Sequence, residues 1–466
     1  MKIKSTHNIF ILCLTIFCLT ALTNCGGLEN SLYENDKETR EEESEVGEAV
    51  PDGPAPVESQ EAETHPTEED DVLGNGIAIT KWDLWSSGET LLRGANIWQA
   101  LVVPELDGLE FKGDGHVGPP FSQADFDHLA SLGANYVTIS GPGLFTEKPP
   151  FEVDEAAVEY VDSLVEMIGK ADMFATIGFR TGSGRSEYSL CCDGEHWAWG
   201  YFNDSMWEEE DAQDAWASMW RYTAEHYRDN PYVVGYKLMV EPNASGILFD
   251  IWEPEPFYRR YADTLYDWNQ LYPRIVTAIR EVDSDTPILV NADGFSAIEW
   301  LPYLVPVDQE RIVYIAHQYH PYEQYTNQEP GLGNEYPGSY DIDYDGVRDE
   351  FNRDWLDELL STLDEYSAGH GVAVGVDEFG VARYAPNAAD YMGDIMGLFE
   401  QRGINYSLWE WSTSWEPFVE EVNHFNFRFG PDADSQGDTP NDLQDVITSY
   451  WELNTLRPSN VTWVED

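Results

Sequence analysis

The sequence predicts an α/β fold, a parallel (β/α)8 TIM barrel, and three observations carry that reading. Short apolar runs recur eight times between residues 91 and 411, and amphipathic helical segments separate nearly all of them. Two of the runs close on a glutamate, Glu241 and Glu378, where a barrel strand delivers a side chain to its C-terminal face. No glycine-rich phosphate loop follows the first run, so an open doubly wound sheet fits less well.

The first strand is read over residues 91–97 and the second over 135–140, with a helix over 125–132 between them. A helix over 154–170 follows, because Val158, Val161, Val165 and Ile168 recur at helical spacing. The third strand covers 173–179, a helix 207–227 and the fourth strand 233–241. Residues 256–282 read as a long helical stretch interrupted by Pro273. Strands follow over 288–292 and 312–319, then a helix over 354–366, a seventh strand over 372–379, a helix over 389–401 and an eighth strand over 404–411. A last helix over 443–453 closes the domain, which is placed at residues 76–466.

Residues 1–25 read as a lipoprotein signal segment. Lys2 and Lys4 precede an apolar run from Ile9 to Leu22 that is short for a membrane span. It ends in Leu22-Thr23-Asn24-Cys25-Gly26, which resembles a bacterial lipobox with Cys25 as the lipidated residue. Ordinary cleavage near this point, releasing a free secreted protein, is the alternative, and either places the mature chain outside the cytoplasm. Residues 26–75 are rich in Glu, Asp, Pro, Ser and Gly and read as a disordered acidic tether. Of the remaining cysteines, the neighbours Cys191 and Cys192 pair with each other or stay reduced.

The chain sets 25 Lys+Arg against 87 Asp+Glu, a net charge of −62 at pH 7. Such a surface repels phosphate backbones, which excludes nucleic acid as a partner and points to a neutral substrate. Membrane contact is expected only through the lipid anchor, and the chain is expected to be a monomer. The 17 Trp, 26 Tyr and 20 Phe exceed what a core needs and suit carbohydrate, because a flat ring packs on the apolar face of a pyranose.

The fourth strand runs from Val233 through Val240 into Glu241-Pro242-Asn243, and the seventh from Val372 through Asp377 into Glu378-Phe379-Gly380. Each glutamate faces the barrel mouth partly desolvated. For a single strand-end glutamate, an ion pair with a rim arginine is the plainer explanation. Two of them on one face are the minimum apparatus for hydrolysing a glycosidic bond.

Three stretches resemble glycoside hydrolase family 5, the cellulase and mannanase family, across most of residues 80–455. They are Leu238-Met239-Val240-Glu241-Pro242, Ile315-Ala316-His317-Gln318-Tyr319-His320-Pro321, and Val376-Asp377-Glu378-Phe379-Gly380 followed by Leu408-Trp409-Glu410-Trp411. The resemblance implies an endo-acting enzyme on a neutral β-linked polysaccharide, with no cofactor required. Glu241 is implied as general acid/base and Glu378 as nucleophile, with His317 and Tyr319 beside the nucleophile and Trp409 under the sugar being cleaved. It also implies retention of anomeric configuration and a carboxyl separation of about 5–5.5 Å.

The chain departs from the family in three places. The end of strand two, at Ser140, lacks the usual arginine. The end of strand three offers Arg180 where a histidine is usual, and Val240 stands where an asparagine normally holds the sugar 2-hydroxyl. Arg180, Asn243 and Trp98 complete the substrate-binding candidates. His196, Trp197, Trp199 and Tyr201, in the loop over 181–204, either line a glycan cleft or pack the loop on the barrel. The spacing of Asp341, Asp343, Asp345, Gly346 and Asp349 resembles a calcium loop, and Asn352 at its twelfth position excludes an EF-hand. That loop is expected to bind at most a structural calcium ion. Two other functions stay open: a non-catalytic glycan-binding lipoprotein on a degenerate barrel, and transglycosylation with a sugar in place of water.

Overall fold

Eight parallel strands close on themselves in chain order: β1 (Arg93–Trp98), β2 (Tyr136–Gly141), β3 (Phe174–Phe179), β4 (Val233–Lys237), β5 (Ile288–Asn291), β6 (Ile312–Gln318), β7 (Ala373–Phe379) and β8 (Tyr406–Leu408). The last strand returns to the first, with Tyr406, Ser407 and Leu408 opposite Arg93, Gly94 and Ala95. This is the (β/α)8 barrel that the alternating pattern predicts. The computed structural model describes residues 76–107, 111–190, 200–421 and 424–464. The signal segment with Cys25, the acidic tether, Cys191 and Cys192, and His196, Trp197 and Trp199 lie outside the described residues.

The principal helices on the outside are α1 (Gln123–Ser131), α2 (Glu155–Lys170), α3 (Glu210–Tyr227), α4 (Trp268–Arg280), α5 (Arg353–His370), α6 (Ala388–Arg402) and α7 (Asp442–Trp451). Helix α2 shows why they form and where they point. Asp154 caps it by accepting from the Ala157 N–H, and Val158, Val161, Val165 and Ile168 are buried against the strands.

Several boundaries differ from the sequence pattern. Residues 256–282 form two helices, Pro254–Tyr261 and α4, and the break falls at 262–267 rather than at Pro273. Asp263 takes a left-handed φ of 64°, its N–H donates to Asp267, and Asp267 caps α4 through Asn269. Pro273 lies inside α4, whose other turns bury Trp268, Leu271, Tyr272, Ile275 and Val276. Residue 207 belongs to a separate 3-10 turn, Ser205–Trp207, ahead of α3. Strand β8 keeps only three residues of regular pairing, although the Trp409 N–H still donates to the Phe379 carbonyl on β7 and the Trp411 N–H to that of Asn96 on β1.

A short helix, Asp83–Ser86, plugs the N-terminal end of the barrel. Its Leu84 and Trp85 pack among Leu92, Tyr136, Phe174, Val234 and Leu289, and the Trp85 indole N–H donates to the Val234 carbonyl at 3.0 Å. Beside it, Ile77–Ile79 pairs in parallel with Val461–Trp463. The wall is tight at Gly94, where an added Cβ would lie 1.7 Å from the Tyr136 carbonyl oxygen. Gly94→Ala is therefore expected to cost about 3 kcal/mol or more, since strand backbone rather than a flexible side chain must move. Urea unfolding measures that loss.

Candidate active site

Regular pairing of β4 ends at Lys237, but the chain stays in the wall. The Leu238 N–H donates to the Leu289 carbonyl at 3.1 Å and the Val240 N–H to that of Phe179 at 2.8 Å. Glu241 then emerges at the mouth with a left-handed φ of 54°. That conformation costs a non-glycine residue energy and persists where surroundings over-determine it. Arg185, fully buried, supplies the constraint, donating to the carbonyls of Val240 at 2.8 Å and Glu241 at 2.7 Å.

Across the mouth, β7 presents Glu378 and β6 presents His317, with Tyr319 just beyond it. Tyr319 donates its hydroxyl to Glu378 Oε1 at 3.0 Å, and His317 Nδ1 lies 3.0 Å from Glu241 Oε1. Carboxylate oxygens of Glu241 and Glu378 and a ring nitrogen of His317 all fall within 4.8 Å of one another. They open into a cleft of about 930 Å³ that Trp98, Arg180, Tyr319 and Trp409 also line.

Electrostatics separates the two carboxyls. Burial pushes Glu241 up, but the His317 hydrogen bond, the charge that ring carries when protonated, and the nearby charges of Arg180 and Lys237 outweigh it and hold the group below its usual range. Burial also pushes Glu378 up, the charge of Glu241 adds to the push, and the opposing cations do not cancel it. The Glu410 carboxyl on the cleft wall is pushed up to about 8 by burial, against the Ser412 hydroxyl and Arg180.

Seven of the eight sequence-predicted residues at this mouth come together: Glu241, Glu378, His317, Tyr319, Trp409, Arg180 and Trp98. Arg180 pairs with Glu187 at 3.0 Å and lies 5.7 Å over the Trp409 ring. Trp98 donates to Glu187 at 3.0 Å and stacks on Phe418 at 5.3 Å. Asn243 is the correction. The left-handed turn at Glu241 swings it away, and it is fully buried, donating to the Ser189 carbonyl at 2.8 Å and accepting from Arg185 at 3.3 Å. It does not line the cleft. Tyr201 packs on Tyr188, with ring centroids 5.7 Å apart.

Sequence reasoning missed Glu187, which ties Arg180 to Trp98, and Glu410, whose only signal was its place after Trp409. It also passed over Lys237 and Asp377, which form an ion pair of 2.5 Å inside the barrel. Two features would mark a mere binder: carboxyls far apart, and an arginine bridging Glu378. The carboxyls are close, and Arg180 is bound to Glu187 instead. Asp341, Asp343 and Asp345 sit in the turn between short strands Gly338–Tyr340 and Asp349–Phe351, with carboxylate oxygens within 4.8 Å of one another.

The model of the family "Cellulase (glycosyl hydrolase family 5)" matches residues 103–414, more than half of the chain. Endoglucanase C of Acetivibrio thermocellus is 21% identical over 330 residues, covering 64% of this chain and 85% of that protein. Among solved structures, endoglucanase Cel5A from Thermotoga maritima superposes with a TM-score of 0.55 at 18% identity, covering 79% of this chain and 100% of that one. The cellulose synthase subunit Z of Clostridioides difficile does so at 0.52 and 18%, covering 77% and 99%. The chain belongs to glycosyl hydrolase family 5 and is a glycosidase that hydrolyses O-glycosyl bonds.

Proposed function

We propose that this protein is a retaining, endo-acting hydrolase of a neutral β-linked polysaccharide, with β-glucan the leading substrate and β-mannan the next. One observation carries the reading: two strand-end carboxyls with oxygens within 4.8 Å of each other, beside a tryptophan on the cleft wall. That spacing suits direct attack on the anomeric carbon, whereas an inverting pair stands about 6.5–9.5 Å apart to admit water. The glucan preference rests on relatives named endoglucanase, and mannan enters because T. maritima Cel5A is described with both cellobiose and mannotriose. Aromatic residues on both sides of the carboxyls, Trp98 with Phe418 and Trp252 with Phe295, support binding within a long chain.

In the first step Glu378 attacks the anomeric carbon, Glu241 gives its proton to the departing oxygen, and a glycosyl-enzyme forms. In the second, Glu241 takes a proton from water, which releases the sugar with its configuration retained. In the free protein burial and the charge of Glu241 push Glu378 up, and the His317 hydrogen bond and nearby cations hold Glu241 down. Positive charge developing at the anomeric carbon favours the carboxylate form of Glu378. A sugar acceptor in place of water would give transglycosylation through the same intermediate.

Reducing-sugar release from β-glucans, mannans and xylans, comparing wild type with Glu378→Ala, tests the proposal. Release that the substitution abolishes is expected, and the best substrate names the glycan. No release from any of them, with equal binding by both proteins, would replace hydrolysis with binding alone.

The proposed setting is outside the cytoplasm, on the Cys25 lipid anchor or free, as a monomer. The turn holding Asp341, Asp343 and Asp345 is the candidate for a structural calcium ion. Calcium at 100 times its Kd would add about 2.7 kcal/mol. Thermal unfolding in calcium and in chelator is expected to separate by that amount, and coincident transitions would remove the ion.

A further inference from the structure

Directly beneath the two glutamates the barrel lumen is not apolar. Asn96 of β1, Lys237 of β4, Asn291 of β5, His317 of β6 and Asp377 of β7 meet there, each nearly or fully buried. Barrel interiors are ordinarily filled by branched apolar side chains, and a buried ion pair rarely adds net stability. Lys237 Nζ lies 2.5 Å from Asp377 Oδ2 and 3.0 Å from His317 Nε2. Asn291 donates to the same carboxylate at 3.4 Å, and Asn96 to the Asp377 carbonyl at 2.8 Å. His317 joins this layer to Glu241, its Nδ1 3.0 Å from Glu241 Oε1.

We infer that Lys237 is a positioning residue for the acid/base: fixed by Asp377, it donates to Nε2 of His317, holds the ring in its neutral Nδ1–H form, and so leaves Glu241 able to carry the proton it must donate. The inference rests on Glu241 being the proton donor. An ammonium group has donors only, so a 3.0 Å bond to Nε2 requires that nitrogen to be bare. In an imidazolium, Nε2–H would find only Asp377 Oδ1 at 3.4 Å and Glu378 Oε2 at 3.7 Å, both poor acceptors at that range, with the ammonium pressed against it.

The surrounding charges oppose each other. Burial and Lys237 favour the neutral ring, whereas ionised Glu378 and Asp377 would carry it up to about 9. Contact geometry decides for the neutral form. The groups facing His317 are Lys237 and Glu241 from β4 and its end, and Asp377 and Glu378 from β7. Arg180 from the end of β3 acts on both glutamates, Tyr319 just past β6 donates to Glu378, and Glu410 feels the charge of Glu378. A neutral ring gives Glu241 one hydrogen bond. An imidazolium would add a full positive charge and hold Glu241 as a carboxylate, unable to act as an acid.

The test has a spectroscopic arm and a kinetic arm. Imidazole 15N spectra of the wild-type protein at neutral pH, with His317 assigned through His317→Gln, are expected to show one bare and one protonated ring nitrogen. An imidazolium there overturns the inference without any need for turnover. Kinetically, Lys237→Met is expected to move the basic limb of the kcat/KM profile down by about one pH unit or more. It should lower turnover about tenfold or more on glycosides with poor leaving groups and hardly at all on dinitrophenyl glycosides. Asp377→Asn, which removes an anion that favours imidazolium, is expected not to move that limb down. An equal fall on all substrates with an unmoved profile, or the same shift from both substitutions, would reduce Lys237 to a packing role. If wild type turns over no glycoside, the proposed function fails while the ring measurement still judges the tautomer.

Discussion

Glu378→Ala is expected to lower kcat by about 10⁴-fold or more on every substrate, activated or not. The carboxylate is the atom source of the new bond to the anomeric carbon, so no leaving group compensates for its loss. The side chain is buried, and Tyr319 aims its hydroxyl at one of its oxygens. Truncation leaves a small polar hole there rather than a rearranged cleft. Azide should enter that hole and restore turnover, giving a glycosyl azide of inverted configuration. Such rescue separates a lost nucleophile from a damaged fold. A variant that keeps more than about a hundredth of wild-type kcat would be inconsistent with covalent catalysis by this residue.

Glu241→Ala is expected to be selective instead. General acid catalysis contributes about 10²–10⁴-fold, and the polysaccharide, with its poor leaving group, should lose all of that. A dinitrophenyl glycoside departs without a proton and should lose little in the first step. The sign of the pH effect follows from the role. Activity that falls as pH rises reports the proton leaving Glu241, so the variant should lose that basic limb and keep the acidic one set by Glu378. The His317 hydrogen bond and neighbouring cations hold Glu241 low, which brings its limb toward acid pH in the free protein. Steady-state kinetics on the two substrate types, across pH, measures both effects. Equal losses on both would assign Glu241 to binding rather than proton transfer.

The barrel and both glutamates were legible because each glutamate closes an apolar run, and a parallel barrel has one active face. His317, Tyr319 and Trp409 were legible through the family pattern on β6 and β8. Arg180 and Trp98 were read as separate sugar contacts, and the Glu187 carboxylate that couples them is 7 residues past Arg180 in a loop without periodicity. Asn243 was misplaced because closeness in sequence says nothing about direction after a left-handed residue, and Glu241 turns the chain at that point. Lys237 and Asp377 were invisible for a different reason. A lone charge inside an apolar strand reads as a side chain leaning outward, and only the closed barrel shows that both point into the lumen and meet. The plug formed by Leu84 and Trp85 likewise precedes the first strand and carries no repeat that would announce it.

Covalent catalysis requires that Glu378 become bonded to the sugar. Incubating the protein with a 2-deoxy-2-fluoro glycoside bearing a good leaving group slows both steps but the second more, so the intermediate accumulates. Digestion and mass spectrometry then locate the label. A glycosyl increment on the peptide containing Glu378, absent in Glu378→Gln, is the predicted result. Steady turnover of the natural glycan with no label on that peptide, or a label on another residue, would contradict it.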